Sequence, residues 1–533
     1  MAGILAFATS SAGFCGQAAT EPQATSPSQT TGDQFKVRIS PALLETLKPD
    51  PEAPREPRLI ILFTEDRGRM KFSDPLQAPF LTRPQPIAST SARAWPNEPD
   101  GFLLVGDDAE GTTSFPIRLD ELNGSYRVRA VLDHGQARSH DAPGNFTSPI
   151  TTVNFQPGQS QIFELTIDEE MKADPLPAAD NLKWVEIPSP LLSKSQGRPI
   201  FHRAGVALPA DYDNPQAKRR YWPTIYVIPG FGGDHRSASE YARLLAYATA
   251  QNIMPQAVWV VLDPNDRLGH HGFADSEAFG PRGEALVKEF IPWLEGRFRL
   301  IKDQPEARIV TGHSSGGWSS LWLQLQHPDT FGACFSSAPD PVSFDAFGKI
   351  DMYGDFNLFT NAEGEPNPSM RSPMTGVHER VALFIPDEVA MEHAIAPDGT
   401  SGEQWDTWNA MFSRIDPRTG KPRRAFDPET GMINPRVVEE DWSRFDIRRM
   451  ISADWPRFAP LFRDRIRLVC GDQDSFYLDG AVRNLKSVVD ELKDPDVEGP
   501  GYIRILEGAN HFDIVPRTRE LWFREMREAL KDN

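Results

Sequence analysis

A serine, an aspartate and a histidine follow one another along this chain at positions where each could take part in acyl transfer. The serine is Ser314, within Thr311-Gly312-His313-Ser314-Ser315-Gly316-Gly317. The apolar run Ala307-Arg308-Ile309-Val310 precedes it, and Trp318-Ser319-Ser320-Leu321-Trp322-Leu323 follows. Gly-x-Ser-x-Gly at a strand-to-helix junction turns a serine sharply out of the chain with its hydroxyl exposed. Such a turn forces the serine into an unfavourable backbone conformation, and side chains in place of the glycines would clash with the strand and the helix. Alone, the pentapeptide is a weak pattern in a chain of 533 residues.

Its partners come later. Ile466-Arg467-Leu468-Val469-Cys470 predicts a buried strand running into the acidic turn Gly471-Asp472-Gln473-Asp474-Ser475-Phe476. Tyr502-Ile503-Arg504-Ile505-Leu506 predicts another, ending in Glu507-Gly508-Ala509-Asn510-His511-Phe512. Asp474 and His511 thus fall on loops after the carboxyl ends of strands, where open α/β sheets gather their active sites. In such a triad His511 takes the proton of Ser314, while Asp474 fixes the imidazole tautomer and stabilises its cation. Singly, Asp474 reads as an ordinary turn acid and His511 as a surface histidine. The order Ser, Asp, His, each on a strand-end loop, favours the triad.

Acyl transfer also needs two N–H donors aimed at the developing oxyanion, and losing one costs ~3 kcal/mol. One follows the nucleophile, here the Ser315 N–H. The strand Thr224-Ile225-Tyr226-Val227-Ile228 opens into Pro229-Gly230-Phe231-Gly232-Gly233-Asp234-His235, and Phe231 N–H is the candidate for the second. Three glycines would also suit a plain turn, but the loop lies one strand-plus-helix unit before the elbow strand, which suits the donor role.

On these motifs, residues from about 184 to 533 resemble the esterase D-like branch of the α/β-hydrolases. That branch includes S-formylglutathione hydrolase, enterobactin-type esterases, feruloyl esterases and mycolyltransferases. The segment Phe279 to Glu295 is similar to the family's helix ahead of the nucleophile strand. Where the family usually has His before the loop glycine this chain has Pro229, a change that leaves the N–H donor in place. The resemblance implies an α/β fold of the α/β-hydrolase type, a mostly parallel sheet with helices on both faces. It carries over Ser314, Asp474 and His511 as the triad and Phe231 and Ser315 as oxyanion donors, and points to esters rather than peptides. This chemistry needs no cofactor and no metal.

The length points to two or three domains. From Phe35 to about Asp168 short alternating runs (Phe35 to Ile39, Tyr126 to Leu132, Ile162 to Ile167) and the apolar Arg58 to Phe63 are separated by Gly, Pro, Asn and Asp clusters, which predicts a small β-sandwich over 35–170. It would bind carbohydrate or pack beside the catalytic part, and its His134 and His140 read as solvated loop residues. Residues 171–182 read as a linker and 183–533 as the catalytic domain, with a lid-like insertion at about 338–463. In that insertion Trp405, Trp408, Phe412, Met391 and His393 would line an acyl or aryl site or form the insertion's own core. His270-His271 lacks spaced partners for a metal.

Residues 1–34 read as a leader and tether: Met1 to Phe14 is apolar and small, and Thr20 to Gln34 is rich in Thr, Ser, Pro and Gln. No Lys or Arg precedes Lys36, so the basic start of a signal peptide is missing, yet export to the periplasm or beyond is the expectation. No run approaches the ~20 apolar residues of a membrane span. With 56 Lys and Arg against 75 Asp and Glu, the net charge of −19 argues against nucleic-acid and anionic-membrane partners. Cys15, Cys334 and Cys470 are scattered and imply no disulfide framework. The expected function is a serine hydrolase acting on a small-molecule or carbohydrate-linked ester. An acyltransferase on the same scaffold, and a non-catalytic binding protein using the β-sandwich, are the alternatives.

Overall fold

A computed structural model describes residues 32–44, 56–80, 83–93, 95, 101–135, 138–156, 158–248, 254–372 and 380–530. Of the expected leader and tether, residues 1–31 lie outside the described residues.

The large sheet has eight strands: β1 (Leu182–Pro188), β2 (Phe201–Ala207), β3 (Thr224–Ile228), β4 (Val258–Leu262), β5 (Arg308–His313), β6 (Ala333–Ser337), β7 (Ile466–Gln473) and β8 (Tyr502–Asn510). Their spatial order is β1-β2-β4-β3-β5-β6-β7-β8. β1, β2 and β4 pair antiparallel, and from β4 to β8 every pairing is parallel. Strands covered on both faces read as continuous apolar runs, and Val258-Trp259-Val260-Val261-Leu262 is buried at all five positions. The edge strand β8 is mostly half-buried or exposed, in keeping with its mixed Tyr502-Ile503-Arg504-Ile505 sequence.

The N-terminal region forms two further sheets. Gln34–Ile39 pairs antiparallel with Phe102–Gly106 and parallel with Ile162–Ile167. The second sheet is built around Gly124–Asp133, which pairs with Arg58–Glu65, Phe146–Thr147 and Thr151–Phe155. Phe35, Phe63, Phe155 and Val37 bury themselves between the two sheets, with Phe35 and Phe63 edge to face at 5.5 Å. Residues 171–180 form no strand or helix and lead into β1.

Between β6 and β7 the chain leaves the sheet. After helix α1 (Ser315–Gln326), which follows β5, the excursion supplies α2 (Ile385–Ile395) and α3 (Gln404–Phe412). Part of it belongs to the main core, through Trp405, Phe412 and Trp442. The end of α2 instead shares a core with the N-terminal sheets: Met391, Ala394 and Ile395 pack with Ile60, Leu62, Ile87, Phe115 and Val131.

Candidate active site

Ser314, Asp474 and His511 are each the first residue after a parallel strand, β5, β7 and β8 respectively. The sheet therefore brings them to one edge although they are distant in sequence. Ser314 caps the N-terminus of α1 with φ 59° and ψ −127°, a strained conformation for a residue with a side chain. The flanking glycines are required by close approach. A Cβ on Gly312 would lie 2.1 Å from the Gly316 carbonyl oxygen, and one on Gly316 would lie 2.0 Å from the Ile228 carbonyl oxygen.

His511 is 3% exposed and Asp474 fully buried. The imidazole Nδ1 and Asp474 Oδ2 are 2.8 Å apart, so Nδ1 carries the proton toward the carboxylate and leaves Nε2 able to accept one. Asp474 Oδ1 accepts the N–H groups of Phe476 at 3.0 Å and Leu478 at 3.3 Å. Burial pushes this carboxyl up, but the charge and hydrogen bond of His511 and the two N–H groups outweigh it, and its pKa is held below the ordinary aspartate value. Asp472 does something else: its Oδ1 accepts the Gly508 N–H at 2.7 Å and ties the β7 turn to the end of β8.

His313 precedes the serine, with its ring centroid 4.4 Å from that of His511. Burial brings its pKa down to about 3, so it stays neutral and adds no cation beside His511. Of the candidate oxyanion donors, Ser315 follows Ser314 in the chain and Phe231 lines the same cavity as Ser314. Ser315 begins α1, where the first N–H groups of a helix have no partner within the helix. Phe231 lies on the loop after β3, where Gly233 N–H closes a turn onto the Gly230 carbonyl at 3.0 Å. Among the described residues no protein acceptor takes the Phe231 N–H.

Gly230, Phe231, His313, Ser314 and His511 open into one cavity of about 570 Å³. Its far side comes from the excursion between β6 and β7: Asp340, Phe347, Met370, Leu383, Ile385, Glu388, Met391, Glu392, Ile395, Glu403, Trp405 and Trp408. Of the five insertion residues singled out by sequence, Trp405, Trp408 and Met391 line it. Phe412 does not. It packs in the core against Trp318, Phe344 and Trp442 at 5.6, 5.1 and 5.2 Å. His393 is also away from the cavity, 3.9 Å from Glu429.

Several residues that the sequence did not assign to the site hold it together. Asp340, just beyond β6, accepts the Ser315 hydroxyl at 2.7 Å and the Trp408 indole N–H at 2.9 Å on one oxygen. Burial pushes its carboxyl above the ordinary range, partly offset by those two bonds. Glu388 accepts the Trp405 indole N–H at 2.9 Å, so both wall indoles are oriented by carboxyl groups. Arg371 donates to the Asp474 carbonyl at 2.7 Å and to Asp479 at 3.2 Å, clamping the acid loop. His270 is buried with its pKa brought down to about 4. Its Nδ1 accepts the Gly272 N–H at 3.1 Å, which leaves Nε2–H to donate to the Pro229 carbonyl at 2.9 Å. Position after a strand was a forward signal for Asp340, and the His270-His271 pair drew notice only as a metal candidate; Glu388 and Arg371 carried no signal.

One expectation is overturned. His140, read from its polar neighbours as solvated, is fully buried, with Nε2 3.2 Å from the Leu76 carbonyl oxygen and Nδ1 3.5 Å from Glu403 Oε1. The histidine lies beneath the excursion, which contacts come from distant sequence and could not be anticipated locally. His134 is half-buried, with Nε2 2.8 Å from the Gly144 carbonyl oxygen.

The model of the family described as "Putative esterase" matches residues 201–491, more than half of the chain. No curated protein sequence matches it. Among solved structures, a ferulic acid esterase shares 13% identity at a TM-score of 0.38, the alignment covering 66% of this chain and 98% of that one. The S-formylglutathione hydrolase of Agrobacterium tumefaciens shares 14% at 0.34, over 66% and 98%. The fluorophosphonate-binding serine hydrolase F of Staphylococcus aureus shares 14% at 0.34, over 65% and 98%. No helix among the described residues is long and apolar enough to cross a membrane.

Proposed function

This chain belongs to that esterase family, has the α/β-hydrolase fold and is a carboxylic-ester hydrolase; from that premise we propose that it works through an acyl-enzyme on Ser314, with His511 as base and Asp474 as its orienting acid. The observation that carries the reading is the buried His511–Asp474 pair at 2.8 Å, opening into the same cavity as the strained Ser314.

In the first half-reaction the Ser314 hydroxyl attacks the ester carbonyl while His511 Nε2 takes its proton. The Ser315 and Phe231 N–H groups receive the charge that moves onto the carbonyl oxygen. The alkoxide leaves with the proton held by His511, and the acyl group stays on Ser314. In the second half-reaction His511 draws a proton from water, the hydroxide attacks the acyl-serine, and Ser314 leaves with that proton. Asp474, held ionised, stabilises the imidazolium in both halves.

We take residues 35–170 as the N-terminal domain and 183–533 as the catalytic domain, joined by 171–182. The substrate is a small-molecule ester whose apolar or aromatic part lies against Trp405, Trp408 and Phe347. Export rests on residues 1–34 and is tested by locating the mature protein. A screen of aryl, alkyl and sugar-linked esters tests the substrate reading, with and without an alcohol acceptor. Release of free acid in water supports hydrolysis. Product formed only with the acceptor supports acyl transfer instead.

A further inference from the structure

We infer that the N-terminal β-rich region is a positioning element of the active site, holding the oxyanion loop through Arg138 and the cavity wall through His140 and Arg58. The inference rests on the esterase reading and assigns that region a part in it. Both Arg138 and His140 come from one loop, between the strands Gly124–Asp133 and Phe146–Thr147. That loop is stiff. Asn145 donates to the carbonyls of Ser139 and His140 at 2.9 and 3.1 Å, and Ser139 Oγ donates to Asp141 at 2.6 Å.

The first link runs to the oxyanion loop. Arg138 donates to Asn265 Oδ1 at 3.2 Å. Asn265 Nδ2 in turn donates to the Gly233 carbonyl at 2.9 Å and to Asp263 at 2.9 Å. With its oxygen engaged by Arg138, the Asn265 amide has one orientation, and its N–H groups hold the loop that carries Phe231. Asn265 also pairs with His270 in a short hairpin, and His270 holds the Pro229 carbonyl of the same loop. The donor N–H must sit within a few tenths of an ångström of its working position to be useful, since a misplacement of about 1 Å costs on the order of a hundredfold in rate.

The second link runs to the cavity. Glu403 lines it and is 6% exposed, and its Oε1 lies 3.5 Å from Nδ1 of the buried His140. Glu403 begins the turn into α3, with its carbonyl accepting the Thr407 N–H at 2.8 Å, so its position passes to the neighbouring Trp405. The third link caps α2. Ser89 Oγ and Thr113 Oγ1 donate to the Ala394 carbonyl at 2.5 and 3.4 Å, and Arg58, 8% exposed, donates to Ser89 at 2.5 Å. These groups satisfy a carbonyl at the helix end and set a cation against its negative pole. Met391 and Ile395 of α2 thus pack on the N-terminal sheets and also, with Glu388, line the cavity.

The test uses full-length Arg138→Met, Arg138→Lys and His140→Leu, each checked for an unchanged Tm, with kcat and KM measured separately on a 4-nitrophenyl ester. Arg138→Met should lower kcat about tenfold with KM within about twofold, and Arg138→Lys should recover most of the loss. His140→Leu should raise KM several-fold with kcat nearly unchanged. Wild-type kcat and KM in folded variants would overturn the inference, as would losses in both parameters that only follow Tm. Fluorophosphonate labelling of the wild type keeps the two readings apart. No adduct there defeats the acyl-enzyme reading, whereas an adduct with unaltered variants defeats the positioning role alone.

Discussion

The carboxyl edge of the large sheet and the excursion that covers it treat their buried acids in opposite ways. At the edge, Asp474 is surrounded by a histidine and two N–H groups and stays below the ordinary aspartate range. In the excursion, burial pushes Glu388, Glu392 and Asp406 upward, and Glu392 is driven furthest by the nearby charges of Asp406 and Glu388. Glu392 accepts the N–H groups of Trp405 and Asp406 at 2.9 and 2.8 Å, which caps α3, and Glu388 holds an indole. The first acid is wired to move charge, and the others are wired to hold shape. Burial without enough compensating charge favours the protonated form of a carboxyl, so the same kind of side chain has its pKa lowered in one region and raised in the other.

Substitutions should separate the regions by the size of their effects. Ser314→Ala should lower kcat for an aryl ester on the order of 10⁴-fold to 10⁶-fold while leaving the circular dichroism spectrum unchanged. Asp474→Asn should cost on the order of 10⁴-fold in kcat, because the imidazole loses its orienting charge. Asp472→Asn, which changes only the Gly508 contact, should stay within about tenfold of wild type. The reverse order would move the catalytic acid two positions along the turn. Asp340→Asn disturbs the Ser315 and Trp408 contacts without touching the triad and should lower kcat/KM by roughly tenfold. Glu388→Gln should be the mildest, altering KM for bulky aryl esters and sparing small acetyl esters.

The pH dependence of local stability gives a further separation. Glu392 has a folded pKa above its unfolded value, so the folded state binds more protons and its contribution to stability falls as pH rises through the folded pKa. Asp474 has the opposite shift, and its contribution is lost only as pH falls through its lowered pKa. Hydrogen exchange, corrected for intrinsic rates, should therefore show residues 385–412 better protected at about pH 5 than at about pH 8. Equal protection at both would contradict the upward shift of Glu392.

The edge was legible in the sequence because its geometry is local. Ser314, Asp474 and His511 each follow an apolar run, and a parallel sheet brings the ends of such runs together. Gly312 and Gly316 announced their close approach by having no side chain. The excursion was not legible. Trp405 and Phe412 have the same aromatic character, yet one faces the cavity and the other the core, because neither Asp340, Glu388 nor Phe344 is near them in sequence. His140 misled for the same reason: Ser139 and Asp141 are polar, and what buries it lies on the far side of the chain.

The central claim is that the ester carbonyl is attacked by Ser314. Intact-protein mass spectrometry after treatment with a fluorophosphonate, followed by peptide mapping, tests it most directly. The account predicts a single adduct on Ser314, absent from Ser314→Ala. Folded wild-type protein that takes no adduct, or takes it on another residue, would contradict it.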